Sequence, residues 1–468
     1  MPKPIAQVAV ALLAAACFAW CFGAEEARAA GAARLTGDAR LIDAVKRRDQ
    51  AMVARLLEQG AAVNGQLADG STALAWAMYG DDKRVARMLL KAGAAVTVNA
   101  ATDYGETALT LACLNGDGEM VEELLSAGAD ARASRRTGET ALMIAAGSGS
   151  LLAVDSLLKH GADINAAEPS HGQTALMWAA AEGHTEIVNL LVSRGADSRL
   201  ATKSGFTALA FATIANDGDA VKRLLAAGGD PNLKLGDGTE LLLAATSHRS
   251  TAAAIALLDA GAAPGVKDQQ DNTPLHMASQ RGNLPLVQSL LAHGASVLAV
   301  NVAPKGAGRF GGAAGQTPLF LAARGGHLDV MKALLDAGSN AHYRAPDGAS
   351  FLMAAVGSAN VEAVRLAWKY DSDVDIVTKD GSTLIHASVT GTGNSPEAQA
   401  RIVEVIQFLA DHGARLDELN KADSTAIDIA DVGPTDKAVL LITQLILAKG
   451  GYPVHPSKRG IGLPPPTQ

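Results

Sequence analysis

Apolar residues along most of this chain come in short helical bursts and not in one long period. A block such as Thr-Ala-Leu-x-x-Ala-Ala sets small and branched side chains three or four residues apart, on one face of a short helix. A Gly-His, Gly-Asn or Gly-Asp turn follows, and then Val-x-x-Leu-Leu repeats the spacing on a second helix. Glycine and an Ala-Asp or Ala-Ser pair close the unit. The stretches HGQTALMWAAAEGHTEIVNLLVSRGAD at 171–197 and DNTPLHMASQRGNLPLVQSLLAHGAS at 271–296 agree nearly column for column.

The pattern recurs behind openers at Thr72, Thr107, Thr140, Thr174, Thr207, Thr239, Thr273, Thr317, Ser350, Thr383 and Thr425, mostly 32 to 35 residues apart, with a degenerate copy starting near Ala39. A threonine hydroxyl at the opener can accept free backbone N–H groups as an N-cap. Pro274 and Pro318 stand at the first helical position, where a missing N–H is harmless. Glycine after the second helix, as in Lys159-His160-Gly161, allows a left-handed C-cap, and the Ala-Asp to Asp-Gly stretch makes a hairpin-like arm to the next copy. Each copy is therefore expected to be a helix-turn-helix, and the whole an all-α solenoid whose stability comes from stacking.

These motifs resemble the ankyrin repeat family, most closely at Thr-Pro-Leu-His (273–276) with its Val-x-x-Leu-Leu (287–291), and in the copy opened by Thr317. The resemblance covers about residues 36 to 450 in about twelve copies. Several copies carry alanine in place of the proline. The Ser350 copy ends in Trp368-Lys369-Tyr370-Asp371 without its glycine, and the Thr239 copy reads as having a slipped inter-helix turn. What the resemblance implies is a non-catalytic protein-binding scaffold, with partners on a concave surface of hairpin tips and first helices. In that frame the tip positions hold Asp103, Tyr104, Arg136, His171, Lys203, Phe206 and Tyr343, a mixed polar and aromatic set. No cofactor is expected.

Two interruptions break the register. The interval from Thr273 to Thr317 is 44 residues, so about ten are inserted near 302–315, where KGAGRFGG (305–312) contains the spacing GxGxxG. A dinucleotide site would need its own strand, long helix and an acidic residue about 20 positions on. Here the following helix belongs to the next copy. The nucleotide-binding enzyme is the minor alternative, and the insertion reads as a glycine-rich finger showing Lys305, Arg309 and Phe310 to a partner. A second insertion at 390–400 (TGTGNSPEAQA) falls between two helices of its copy.

Composition changes the picture at the edges. Aromatics are 4% of 468 residues, which suits close contacts between small side chains. With 40 basic against 48 acidic residues in mixed order, the chain offers no basic stripe for nucleic acid. Its densest basic run, Lys46-Arg47-Arg48, reads as a solvated helix end. Lys3, the apolar stretch Ile5 to Ala24 and the A-x-A site at Ala27-Arg28-Ala29 predict a cleaved signal peptide over 1–29. The alternative is an uncleaved membrane tether, since about 20 apolar residues can span a bilayer. After cleavage Cys113 would be the one remaining cysteine, and no Asn-x-Ser/Thr acceptor occurs, which together point to a bacterial periplasm. We expect a monomer.

The repeat frame also accounts for the chemistry-bearing residues. His276 and His386 sit in the Thr-Pro-Leu-His column, His184 and His327 in inter-helix turns, and His160, His293 and His412 at helix C-termini, so they are expected to be structural. Cys113 falls at a small core position, and Trp76 and Trp178 share one column, expected to be inter-repeat core. Metal and nucleophile spacings such as HExxH, CxxC and GxSxG do not occur. The last helix, Ala438 to Ala448, is unusually apolar; the tail 451–468 is expected to fold back over it, a partner or membrane contact being the alternative.

Overall fold

The computed structural model describes residues 37–302, 315–390, 395–433 and 435–463. The proposed signal peptide and Lys305, Arg309 and Phe310 lie outside the described residues. The chain divides into two compact units, up to Arg136 and from Thr137 onward.

Among the described residues the first unit holds three helix pairs: Gly37–Lys46 with Gln50–Glu58, Ala73–Tyr79 with Lys83–Lys91, and Ala108–Leu114 with Gly118–Ser126. The described residues of the second hold nine, from Ala141–Ser148 with Leu151–Lys159 to Ala426–Asp431 with Asp436–Ala448. The twelve pairs are the copies that the openers announce. Among the described residues no extended strand forms; the arms carry isolated antiparallel bridges such as Gln66 with Thr72 and Ala201 with Thr207.

The capping chemistry follows the sequence. The hydroxyl of Thr72 accepts from Ala75 N–H, that of Thr174 from Met177 N–H and that of Thr425 from Asp428 N–H. Six second helices start on Asp49, Asp82, Asp117, Asp217, Asn283 or Asn360, whose side chains accept an N–H from the first turn, while others, such as those behind His184 and His327, start without a side-chain cap. Two short helices of seven to nine residues would not persist alone. What holds them is the buried Leu, Val and Ala of both faces, among them Leu142, Val154 and Leu157 at 1% exposure or less.

Three expectations change. In the seventh copy the N-cap is Glu240, one residue later than Thr239, and the helix runs Leu241–Ser247. The bridge of Lys234 with Glu240 matches that of Ala201 with Thr207. The inter-helix turn is in register, with Arg249 at φ 62° where the preceding copy has Asn216 at φ 58°. It is the opener that moved, and Glu240 fills it without a side-chain cap. Of the second insertion, 391–394 lie outside the described residues and its end is helix: Ser395 caps Pro396–Asp411, which is 16 residues where most second helices have nine. Finally, Lys46 is not merely a solvated helix end, because its ammonium lies 4.0 Å over the Trp76 ring.

Candidate functional site: the hairpin tips and first-helix face

Each tip is a tight turn between the arm and the next opener. Five residues before the opener stands a residue whose backbone closes the turn and whose side chain often accepts from it. Thr202 shows the pattern: its N–H bonds to Phe206 O at 2.8 Å, Gly205 N–H bonds to its carbonyl at 2.9 Å, and Phe206 N–H bonds to its hydroxyl at 3.0 Å. Thr102, Asp268, Thr378 and Asn420 repeat it. In the Thr174 copy, which has one extra tip residue, Glu168 takes the role with its carboxylate. The side chain is only 5% exposed and accepts from the N–H groups of Ser170 (2.6 Å), His171 (2.8 Å) and Gln173 (3.0 Å). Burial alone would raise the Glu168 pKa, but these backbone donors outweigh it and hold the carboxyl below its usual value.

A second set of bonds ties each tip to its neighbour. In the first unit Asp103 N–H donates to Asp69 O and Arg136 N–H to Tyr104 O, both at 2.9 Å. In the second, Lys203 N–H donates to His171 O (2.8 Å), Val302 to Gln270 (2.9 Å), Lys379 to Asp347 (2.7 Å) and Lys421 to Asp380 (2.8 Å). The backbone is consumed by this ladder, so the tip side chains point away from it into solvent.

Of the residues expected at the tips, Asp103, Tyr104, Arg136, His171 and Lys203 are exposed. Asp103, Tyr104 and Arg136 belong to the first unit; His171 and Lys203 are adjacent in the second, and Lys203 Nζ donates to Pro169 O at 2.5 Å. Phe206 is half-buried, its ring 5.8 Å from Phe211. Tyr343 is half-buried and employed otherwise: its hydroxyl donates to Gly315 O at 2.8 Å.

That bond bears on the first insertion. Asn301 N–H bonds to Gln316 O (3.1 Å), Gly315 N–H to Asn301 O (2.8 Å) and Gln316 N–H to Asn301 Oδ1 (2.8 Å). This is the Thr202, Gly205 and Phe206 closure again, with Gly315 standing where Gly205 stands. An ordinary tip has two residues between these ends, Lys203 and Ser204, whereas here residues 302–314 occupy the gap, an insertion of 11. The glycine-rich stretch therefore leaves and rejoins the fold at a tip, with no βαβ unit around it. Gly315 holds φ 70°, and a Cβ there would lie 2.4 Å from Pro346 Cδ, so only glycine closes this base.

Beside the tips lies a stripe of first-helix side chains, four residues after each opener. The first unit places Trp76 and Leu111 there; the second places Ile144, Trp178, Phe211, Met277 and Leu321 among others. Trp76, Trp178, Phe211 and Met277 are half-buried, each keeping an exposed edge. Both tryptophans meet a neighbouring copy, as their shared column led us to expect, and keep an exposed edge besides. Trp76 donates its indole N–H to Ser71 Oγ at 3.0 Å and carries Lys46 on its face, while Trp178 packs against Gly147, where a Cβ would come within 2.8 Å of the ring. The sequence did hold the signal for the stripe, in the large apolar residues that recur down that column from Trp76 to Leu321 once the openers are aligned.

The histidines behave as structural groups. His276 is fully buried; its Nδ1 accepts from Thr273 N–H (3.2 Å) and hydroxyl (2.9 Å), and Nε2–H donates to Gln316 O (3.1 Å) in the next copy. His386 does the same with Thr383 and Ser424 O. His184 and His327 reach back to Gly147 O and Gln280 O, and His160, His293 and His412 donate to carbonyls of their own helices. Cys113 is buried, and burial pushes its thiol far above the usual range. At the C-terminal end His455 Nδ1–H donates to Asp428 Oδ2 at 2.8 Å, and Thr425 Oγ1–H donates to the same oxygen at 2.9 Å. Hydroxyl and imidazole thus share one acceptor, which is not the nucleophile-to-base contact that a catalytic triad needs. Among the described residues there is no cluster of side chains fit to hold a metal ion, and no helix is long and apolar enough to cross a membrane.

Stacked pairs, capped openers and laddered tips define a repeat protein built for surface contact. A family model described as ankyrin repeats matches in overlapping segments from residue 41 to residue 420, and the chain belongs to the ankyrin repeat family. It is also similar, at 25% identity over 186 residues, to the Transient receptor potential cation channel subfamily A member 1 homolog of Caenorhabditis elegans. That similarity covers 35% of this chain and 14% of the channel homolog. Ankyrin repeats are in general protein–protein interaction modules, and their architecture is typically non-catalytic.

Proposed function

We propose that this chain is a non-catalytic interaction scaffold of the bacterial cell envelope, acting as a monomer in the periplasm. The observation that carries the binding role is the tip ladder: it fixes the backbone while Asp103, Tyr104 and Arg136 of the first unit, and His171 and Lys203 of the second, stay exposed to partner proteins, each set beside half-exposed apolar side chains of its own unit. Rigid presentation of charged and aromatic side chains lowers the ordering cost of binding. The insertion at 302–314 is rooted at a tip, between Asn301 and Gly315, and Lys305, Arg309 and Phe310 are its proposed contacts. The n-region, apolar stretch and A-x-A site at 1–29 support export.

The test is affinity capture from envelope fractions with wild type, Lys203→Glu, Phe211→Ala and a variant lacking 304–314. Partners held by the tips and stripe should be lost from the first two variants while their unfolding midpoints are kept. Identical capture by all four proteins defeats the reading. Mass spectrometry of the native protein checks export: a chain beginning after residue 29 supports it, and an intact Met1 supports the tether. Calorimetry with ATP and NAD addresses the nucleotide alternative, which tight binding abolished by Gly308→Val would establish.

A further inference from the structure

Each copy shows its successor a small or apolar side chain six residues after its opener. In the second unit these include Ala180, Thr213, Ser279, Ala323, Val356 and Val389, all buried. The residue three after the opener faces the same way, since His276 and His386 reach carbonyls of the following copy. In the last copy these two columns hold Asp428 and Asp431. An acid on a stacking face would block a further repeat, yet these acids are not left bare.

The tail crosses them. Its apolar contribution is small: Pro453 is buried, while Tyr452 and Val454 are exposed. What holds it is polar. Val454 N–H donates to Asp417 Oδ2 (2.5 Å) and His455 Nδ1–H to Asp428 Oδ2 (2.8 Å). Asp431 accepts from three successive residues, at Oδ1 from Ser457 Oγ–H (2.8 Å) and Arg459 Nε–H (2.7 Å) and at Oδ2 from Lys458 N–H (2.9 Å). Arg459 also reaches Asp436 at 2.6 Å. The Asp431 side chain is 8% exposed. Burial pushes its carboxyl upward, and Arg459, Ser457 and the Lys458 N–H more than reverse that. Charge-assisted bonds of this kind select their partner by geometry. The tail is joined to the last helix through Gly450 at φ 76° and Gly451.

We propose that the end face of the last copy is a recognition site for an extended basic segment presenting histidine, serine and arginine at every second residue, filled in the resting chain by residues 454–459 and open to a partner's segment of the same chemistry. The tips and stripe play no part, so this goes beyond the scaffold reading. Because the tail is tethered within a few residues of its site, its effective concentration is on the order of millimolar, and it excludes weak competitors. A partner must match the side-chain donors of His455, Ser457 and Arg459, and offer an N–H where Lys458 does, to displace it.

The test uses a fluorescein-labelled peptide of residues 451–463, GYPVHPSKRGIGL, and the full-length chain in three forms. These are wild type, a Ser457→Ala with Arg459→Ala variant whose own strap is weakened, and that variant with Asp431→Asn added. By anisotropy the strap-weakened chain should bind the peptide at least tenfold more tightly than wild type, and Asp431→Asn should remove the binding. Binding that survives Asp431→Asn, or no binding by a strap-weakened chain whose circular dichroism is unchanged, overturns the proposal. If the weakened chain unfolds, hydrogen exchange on wild type decides: millimolar peptide should speed exchange at residues 454–459, and unaltered exchange overturns it. Lys203→Glu and Phe211→Ala should leave peptide binding intact, so this test can fail without the scaffold reading failing.

Discussion

Replacing His276 with methionine is the sharpest probe of how one copy is fastened to the next. Methionine already fills this column in the Thr140, Thr174 and Ser350 copies, so volume and helix preference are nearly kept. What is lost is the bond from Nε2–H to Gln316 O and the two donated by Thr273 into Nδ1. Methionine sulfur replaces part of the latter, as Met143 does when it accepts from Thr140 N–H at 3.5 Å. The Gln316 carbonyl, in a residue 5% exposed, loses its imidazole donor but keeps the N–H of Asn301 at 3.1 Å. One buried hydrogen bond lost without orphaning its acceptor costs about 0.5–1.5 kcal/mol, so a loss of about 1 kcal/mol is expected. Because repeats couple mainly to nearest neighbours, it should concentrate between Pro274–Gln280 and Pro318–Arg324. Hydrogen exchange read on those helices should quicken about fivefold at pH 7.5. Burial lowers the His276 pKa, against a weaker upward pull from carbonyl bonds, so the fold favours neutral imidazole. Its stabilisation is therefore full above the unfolded pKa of about 6.5 and is lost as pH falls through the folded value. Wild type should lose protection at this junction on acidification to pH 5, and the methionine variant should lose less. Equal protection at pH 7.5, or the same acid response in both proteins, would refute the assignment.

Three other outcomes follow from the same geometry. Glu168→Gln should cost about 1–2 kcal/mol by weakening three charge-assisted bonds at one tip, and wild-type protection there, present above the unfolded carboxyl pKa, should fade as pH drops through the lower folded value; a variant as protected as wild type at pH 7 would contradict this. Deleting 304–314 leaves two residues between Asn301 and Gly315, the ordinary tip length, and by shortening the closed loop should stabilise the chain by up to about 1 kcal/mol, so a lowered denaturation midpoint would show that the insertion supports the fold. Gly315→Ala should instead destabilise the chain by about 1–3 kcal/mol, read as a lowered midpoint, because it sets a side chain at positive φ against Pro346.

Much of the fold was legible because an ankyrin copy is a local object. Openers, inter-helix turns and closing glycines lie within one copy, and capping acts over three residues, so residue type alone places each helix. The Glu240 opener escaped this reading because Thr239 offers better N-cap chemistry; the register was settled by neighbouring copies that force Leu242 and Ala245 into the core. The candidate surface was legible in part. Asp103, Arg136 and Lys203 were placed by counting from the opener, whereas Tyr343 sits only a few residues further from its own opener and is turned inward by Gly315, 28 residues away in sequence.

The sequence by itself determined the number of copies, their helix pairs and the residues at the tips, since those depend on spacings and caps within about 33 residues. Only the tertiary structure decided that the insertion emerges from a closed tip, that the aromatic column keeps an exposed edge, and that Asp428 and Asp431 receive the tail. Each of these joins residues from separate copies or from beyond them, and a hydrogen bond from Arg459 to Asp431 leaves no periodic trace in the chain that forms it.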